Sequence, residues 1–147
     1  MKKVLILGCP GAGKSTLLLQ VMCGLAKNMT ALYVTGEESL QQVAMRANRL
    51  NLPTDKLNML SETSVEQICN LADQLKPQII VVDSIQVMHL SDIQSSPGSV
   101  AQVRECASFL TRYAKTRQVA IIMVGHVTKD GTLAGPKVLE HAIDCSL

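Results

Sequence analysis

Aromatic side chains are nearly missing from this sequence. There is no tryptophan, and Tyr33, Phe109 and Tyr113 are the whole set. Proteins that stack successive bases on aromatic platforms have almost no material to work with here. An excess of one charge is missing too. Fourteen Lys and Arg against twelve Asp and Glu leave a net charge of +2, too mild to argue for nucleic acid by itself. The five cysteines, Cys9, Cys23, Cys69, Cys106 and Cys145, form no C-x-x-C pair, so neither a zinc site nor a redox dithiol is signalled. Their odd number, with no secretory segment, favours a reducing cytoplasm. No apolar run approaches the length of a membrane span, so no membrane partner is expected. Internal repeats and linkers are also lacking. What is present is 147 residues, 47% hydrophobic and 18% charged, enough for one domain with a sizeable core.

The stretch Val4 to Ser15, VLILGCPGAGKS, organises the rest. It reads as a buried strand, a glycine-rich turn and the opening of a helix. Gly8, Gly13, Lys14 and Ser15 fill the pattern G-x-x-x-x-G-K-[ST], a phosphate-binding P-loop. A triphosphate must be wrapped by donors without being crushed. Gly8, Cys9, Pro10, Gly11, Ala12 and Gly13 supply the loop, whose glycines let the backbone turn its N–H groups inward. The helix that follows, with Lys14, Ser15 and Thr16 in its first turn, adds unpaired N–H groups and a positive dipole end. Lys14 is placed to reach the β- and γ-phosphates of ATP, and Ser15 to put a hydroxyl on Mg²⁺. Cys9 reads as a small space-filling member of the loop.

Downstream, strands and helices alternate, the mark of an α/β chain with a mostly parallel sheet covered on both faces. The first helix is expected to continue to Lys27 and to bury Leu17, Leu18, Val21, Met22 and Leu25. ALYVT, residues 31–35, reads as a strand. Leu40, Val43, Ala47 and Leu50 recur at helical spacing, and residues 57–60 suit a brief strand. Ser64 and Gln67 have capping-box spacing for a helix carrying Val65, Ile68, Ala72 and Leu75 and closed by Pro77. QIIVVD, residues 78–83, is a buried strand ending in an acid. Residues 84–98 read as a mobile loop. A long helix from about Ser99 to Thr116 is expected to bury Val100, Val103, Ala107, Leu110 and Ala114. VAIIMVG, residues 119–125, is another buried strand, and residues 126–139 read as a second mobile loop. The chain starts on a strand and stops within what reads as one, AIDCSL. Both ends look cut, and the expectation is one domain spanning 1–147, excised from a longer protein.

Asp83 ends four apolar residues, the Walker B pattern of a carboxylate at the sheet edge that binds Mg²⁺ through water. Ligands of open α/β sheets sit at that edge. Glu37 and Glu38 end another strand. Hydrolysis needs a base that polarises a water in line with the γ-phosphate; Glu37 is the favoured base, with Glu38 either supporting it or serving as the base itself. His126 follows a strand directly and is a candidate sensor of the γ-phosphate. His89 and His141 have no partner at ligand spacing and read as structural. Arg104, Lys129 and Lys137, in or beside the two loops, are candidates for DNA phosphates.

Together these residues resemble the RecA-like ATPases, most closely the RadA (Sms) family of bacterial DNA repair proteins. The segments that carry the likeness are GCPGAGKSTLLLQ, LYVTGEESLQQVAMRANRL, VVDSIQVMHLSDIQSSPGSVAQVRE and MVGHVTKDGTLAGPKVLEH. The resemblance implies a RecA-like P-loop NTPase fold and an ATP-dependent motor of homologous recombination. It implies binding of single-stranded DNA, assembly into ring-shaped homo-hexamers, and branch migration alongside RecA recombinase. It gives Lys14 and Ser15 phosphate and Mg²⁺, Glu37 the water, Asp83 the metal and His126 the γ-phosphate. The loops after Asp83 and His126 would face the DNA channel. The family's four-cysteine zinc motif, its K-N-R-F-G motif and its Lon-protease-like domain are not in this sequence. Rival readings are a small-molecule P-loop kinase and a nucleotide-switched, KaiC-like binding module. Sheet order separates the kinase: the resemblance puts the strand of residues 119–124 between the P-loop strand and the Asp83 strand, which are direct neighbours in kinases and GTPases.

Overall fold

The computed structural model describes residues 3–8, 14–126 and 145–146, with side chains from 15 to 125. Among the described residues six strands form one sheet: β1 (Lys3–Gly8), β2 (Ala31–Thr35), β3 (Asn58–Ser61), β4 (Ile79–Asp83), β5 (Ala120–His126) and β6 (Cys145–Ser146). Among the same residues four α-helices lie between β1 and β5 in the chain: α1 (Lys14–Leu25), α2 (Leu40–Arg49), α3 (Val65–Leu75) and α4 (Val100–Arg117). The order across the sheet is β3-β2-β4-β5-β1-β6, and every pairing is parallel. β5 lies between β1 and β4, the order the RecA-like resemblance implies and the kinase reading does not.

The strands bury both faces, and their alternation sorts the core. Ala31, Tyr33, Val81 and Val124 pack with Leu18, Leu19, Met22 and Cys23 of α1 and Val43 and Ala47 of α2. Leu32, Val34, Ile80, Val82, Ile121 and Met123 pack on the other face against α3 and α4. Because side chains alternate with period two, Asp83 falls on the same face as Val81 and Tyr33, the face that α1 covers. Strand periodicity therefore aims the acid at the start of α1.

Several expectations are corrected. Leu17 and Val21 of α1 are 57% and 40% exposed, and Val100 of α4 is 42% exposed. α1 buries Leu18 and Met22 as expected, with Leu19 and Cys23 in place of Leu17 and Val21, a stripe turned slightly round the helix. Ser64 accepts from the Gln67 N–H at 3.4 Å, but its own N–H donates to Glu62 Oε2 at 3.2 Å, so Gln67 has no orphan donor to reach back to. The full capping box lies at α2, where Ser39 N–H donates to Gln42 Oε1 at 2.8 Å and Gln42 N–H to Ser39 Oγ at 3.2 Å.

The first half of the segment 84–98, expected to be a mobile loop, is packed. It opens with one 3-10 turn, Ile85–Val87. Ile85 and Met88 are fully buried and join the α3/α4 core. His89 N–H donates to Thr63 O at 2.9 Å, and its carbonyl accepts from Val65 N–H at 3.0 Å. Gln102, itself buried, reaches back from α4. Its Oε1 accepts from Leu90 N–H at 2.8 Å and its Nε2 donates to Ser95 O at 2.6 Å. The apolar residues scattered through this stretch tie it to that core. The second expected loop, beyond His126, lies outside the described residues, as does the P-loop turn 9–13.

Cys23, Cys69 and Cys106 are free and buried, whereas Cys9, the cysteine expected to fill space in the loop, lies outside the described residues. Burial pushes the Cys69 and Cys106 thiols up to about 12, with Asp73 adding to the effect on Cys69 and Glu66 to that on Cys106; Cys23 is raised by burial as well. Thiolate is the reactive form. Iodoacetamide at pH 8 should therefore leave all three unmodified in the native protein and modify them in urea, as mapped by peptide mass.

Candidate nucleotide and metal site

The carboxyl ends of β1, β2, β4 and β5 lie along one edge, because the strands are parallel and in register. Gly8 pairs with His126, Thr35 with Asp83, and Asp83 with Val124. Lys14 is the first residue of α1. The P-loop residues Cys9 to Gly13 and the side chains of Lys14 and His126 lie outside the described parts. The backbone nevertheless brings both ends of the loop, Gly8 and Lys14, and His126 to the same edge as Asp83.

Asp83 is 3% exposed. Its Oδ2 accepts from Ser15 Oγ at 2.5 Å and from Tyr33 Oη at 3.1 Å. Its Oδ1 is buried with no hydrogen-bond partner. A buried carboxylate oxygen with nothing to accept is costly, and a bound ligand would relieve it. Burial first, and then the Asp83 charge, push the Tyr33 phenol's pKa well up, so Tyr33 stays a donor to Asp83. The Asp83–Ser84 peptide is cis. The donor set suits a hard divalent cation: a carboxylate oxygen left open and a serine hydroxyl beside it. No group of three or more His, Cys, Asp or Glu that could hold a metal occurs among the described residues.

The two glutamates after β2 part company. Glu37 is exposed, and its Oε1 accepts from Ser84 Oγ at 2.6 Å. Glu38 is tied down. Arg46 Nη1 lies 2.6 Å from its Oε1 and 2.8 Å from its Oε2, and its backbone N–H and C=O both bond Thr35 Oγ1 at 3.1 Å. Burial alone would lower the pKa of the Arg46 guanidinium, but the bonds and charge of Glu38 outweigh it and the net direction is upward. Of the pair, then, Glu37 is the carboxylate that a serine hydroxyl holds at the strand edge, and Glu38 the one that a guanidinium neutralises.

Of the expected DNA contacts, Arg104 is exposed in the second turn of α4, 3.8 Å from Glu105; Lys129 and Lys137 lie outside the described residues. Thr16 is half-buried in the first turn of α1. Tyr33, Arg46 and Ser84 were not singled out from sequence. Ser84 could have been suspected as the residue directly after Asp83. Tyr33 shares strand parity with Thr35, the register partner of Asp83. Arg46 carried no comparable signal, since its partner lies eight residues away across a helix start.

Residues 1–132 match the family model described as AAA domain. The chain belongs to that family. Over 144 residues, 98% of the chain, this AAA domain is 94% identical to the DNA repair protein RadA of Haemophilus influenzae and 75% identical to that of Escherichia coli. Over 145 residues it is 51% identical to the DNA repair protein RadA of Bacillus subtilis. It spans about a third of these relatives, 31% of the first two and 32% of the third. Among solved structures, an ATPase domain superposes with a TM-score of 0.77 at 15% identity, covering 99% of this chain and 68% of that one. A KaiC-like protein from Pyrococcus horikoshii gives 0.77 at 18%, covering 97% and 68%. The AAA domain therefore has the RecA-like P-loop fold, which implies a bound nucleotide and a divalent metal. No helix among the described residues is long and apolar enough to cross a membrane.

Proposed function

We propose that this chain is the ATPase core of a RadA-type DNA repair motor. The observation that carries the reading is the buried Asp83 carboxylate, bonded to Ser15 at the start of α1 with its other oxygen unpartnered. ATP lies in the loop from Gly8 to Thr16, with Lys14 on its β- and γ-phosphates. The Ser15 hydroxyl and the Asp83 carboxylate would hold Mg²⁺, which would supply positive charge to offset that of the phosphates. Glu37 takes the proton of the attacking water, and Glu38, paired with Arg46, shapes the strand end that carries it. His126 reports the γ-phosphate. The packed segment after Asp83 and the stretch after His126, with Arg104, Lys129 and Lys137, hold single-stranded DNA. The whole protein works in the cytoplasm as a homo-hexameric ring that promotes branch migration with RecA recombinase.

Steady-state phosphate release from ATP, with and without single-stranded DNA, tests this. Release that single-stranded DNA accelerates is the expected result. Nucleotide binding without turnover, in the whole protein as in this domain, would instead indicate a nucleotide-switched binding module. The KaiC-like structure resembles the chain as well as the solved ATPase domain does, so fold alone does not choose between them.

A further inference from the structure

Ser84 is fully buried, yet its hydroxyl does not cap its own turn: the 3-10 turn that Ser84 precedes receives no side-chain bond from it. The hydroxyl crosses instead to Glu37, 47 residues earlier in the chain, and donates to Oε1 at 2.6 Å. The backbone beneath is joined as well. Gly36 N–H donates to Asp83 O at 2.8 Å, which carries the β2–β4 ladder one step past the last paired residues. Gly36 also sits against the turn itself. A Cβ built on it would stand 2.5 Å from Val87 Cγ2, 3.1 Å from Met88 Cε and 3.2 Å from Thr63 Cγ2. The Val87 contact is with a short branched side chain that has little room to swing away. Two separate features of one turn thus bear on Glu37: a hydroxyl on its carboxylate and a close packing contact under its backbone.

We propose that Ser84 is a positioning residue for Glu37, holding its carboxylate in the rotamer from which it takes the proton of the attacking water. The inference rests on the reading of Glu37 as the base. An exposed glutamate samples several rotamers, and a base must sit in one geometry when the water is in line. A short hydrogen bond from a buried, immobile donor selects that rotamer. Ser84 adjoins Asp83 in sequence, so the residue that aims the base and the residue that takes the metal share one strand end. A shift of that strand end moves both together. Glu38 is held in a different way, by a guanidinium on α2, and does not use this turn.

The test measures ATP turnover and ATP affinity in the whole protein for the wild type, Ser84→Ala, Glu37→Gln and the double variant. Ser84→Ala should lower kcat about 10- to 100-fold, the range expected when a reacting group is slightly misplaced, and leave the Kd for MgATP unchanged. Single-turnover hydrolysis in the Glu37→Gln background should not fall further when Ser84→Ala is added, because the hydroxyl acts only through the carboxylate. If Ser84→Ala melts early, Ser84→Cys, close in shape but a weak donor, should show the same loss. Wild-type kcat in Ser84→Ala, or a further fall of the same size in the Glu37→Gln background, overturns the positioning role while Glu37 remains the base. A Glu37→Gln variant with full turnover removes the base reading, and this inference with it.

Discussion

Exchanging Glu37 for glutamine should stop turnover while leaving ATP bound. Glutamine has the same shape, and its carbonyl oxygen still accepts the Ser84 hydroxyl that now bonds Glu37 Oε1 at 2.6 Å. What it loses is the capacity to take a proton. A positioned general base contributes about 10²–10⁴ in rate, and turnover should fall by that factor. The partner experiment is Glu38→Gln. There the Arg46 guanidinium, 14% exposed and bonded to both Glu38 oxygens, would face a neutral amide. Losing a hydrogen bond to a charged group of this kind costs about 1.5–3 kcal/mol, so Glu38→Gln should read out as a lower melting temperature. The two variants thus separate the acids by observable: rate for Glu37, stability for Glu38. Turnover abolished in Glu38→Gln with an unchanged melting temperature would hand the base role to Glu38.

Those two carboxylates mark the boundary of what the sequence reveals. Both follow the strand ALYVT, whose bounds, residues 31–35, match β2 as observed. Both therefore belong at the edge where parallel strands end, and that much is local pattern. What separates them is Arg46 and Ser84, one across a helix start and one just past the end of the neighbouring strand β4. Neither partner follows from spacing. The same division holds elsewhere. The face on which Asp83 lies follows from the two-residue period of β4, and its meeting with Ser15 follows once α1 covers that face. The packing of residues 84–90 was missed because the cluster SDIQSSPGS that follows signals a loop, whereas Ile85, Met88 and the reach of Gln102 decide the structure. α1 misled in another way. It is apolar over nearly its whole length, so periodicity could not tell that Leu17 and Val21 lie on its exposed side.

The remaining large effect is expected at Lys14. MgATP at about 100 times its Kd should stabilise the wild type by about 2.7 kcal/mol, and each kcal/mol shifts the melting temperature of a chain this size by about 2–4 °C. Lys14→Ala should show none of that shift, since it removes the ammonium that we propose meets the β- and γ-phosphates. Its contrast is Asp83→Asn. The amide oxygen can still accept from Ser15 and Tyr33, so the apo protein should melt close to the wild type. The charge that draws the cation is gone, however, so the gain from adding Mg²⁺ to ATP should disappear while metal-free ATP binds as before. A lysine variant insensitive to nucleotide and an aspartate variant insensitive only to metal divide the site into its phosphate half and its cation half. MgATP that still raised the melting temperature of Lys14→Ala would mean that the glycine-rich turn and helix start hold the triphosphate without the lysine. The ammonium would then have to serve the departing phosphate in the transition state, and its loss would appear in kcat instead of Kd.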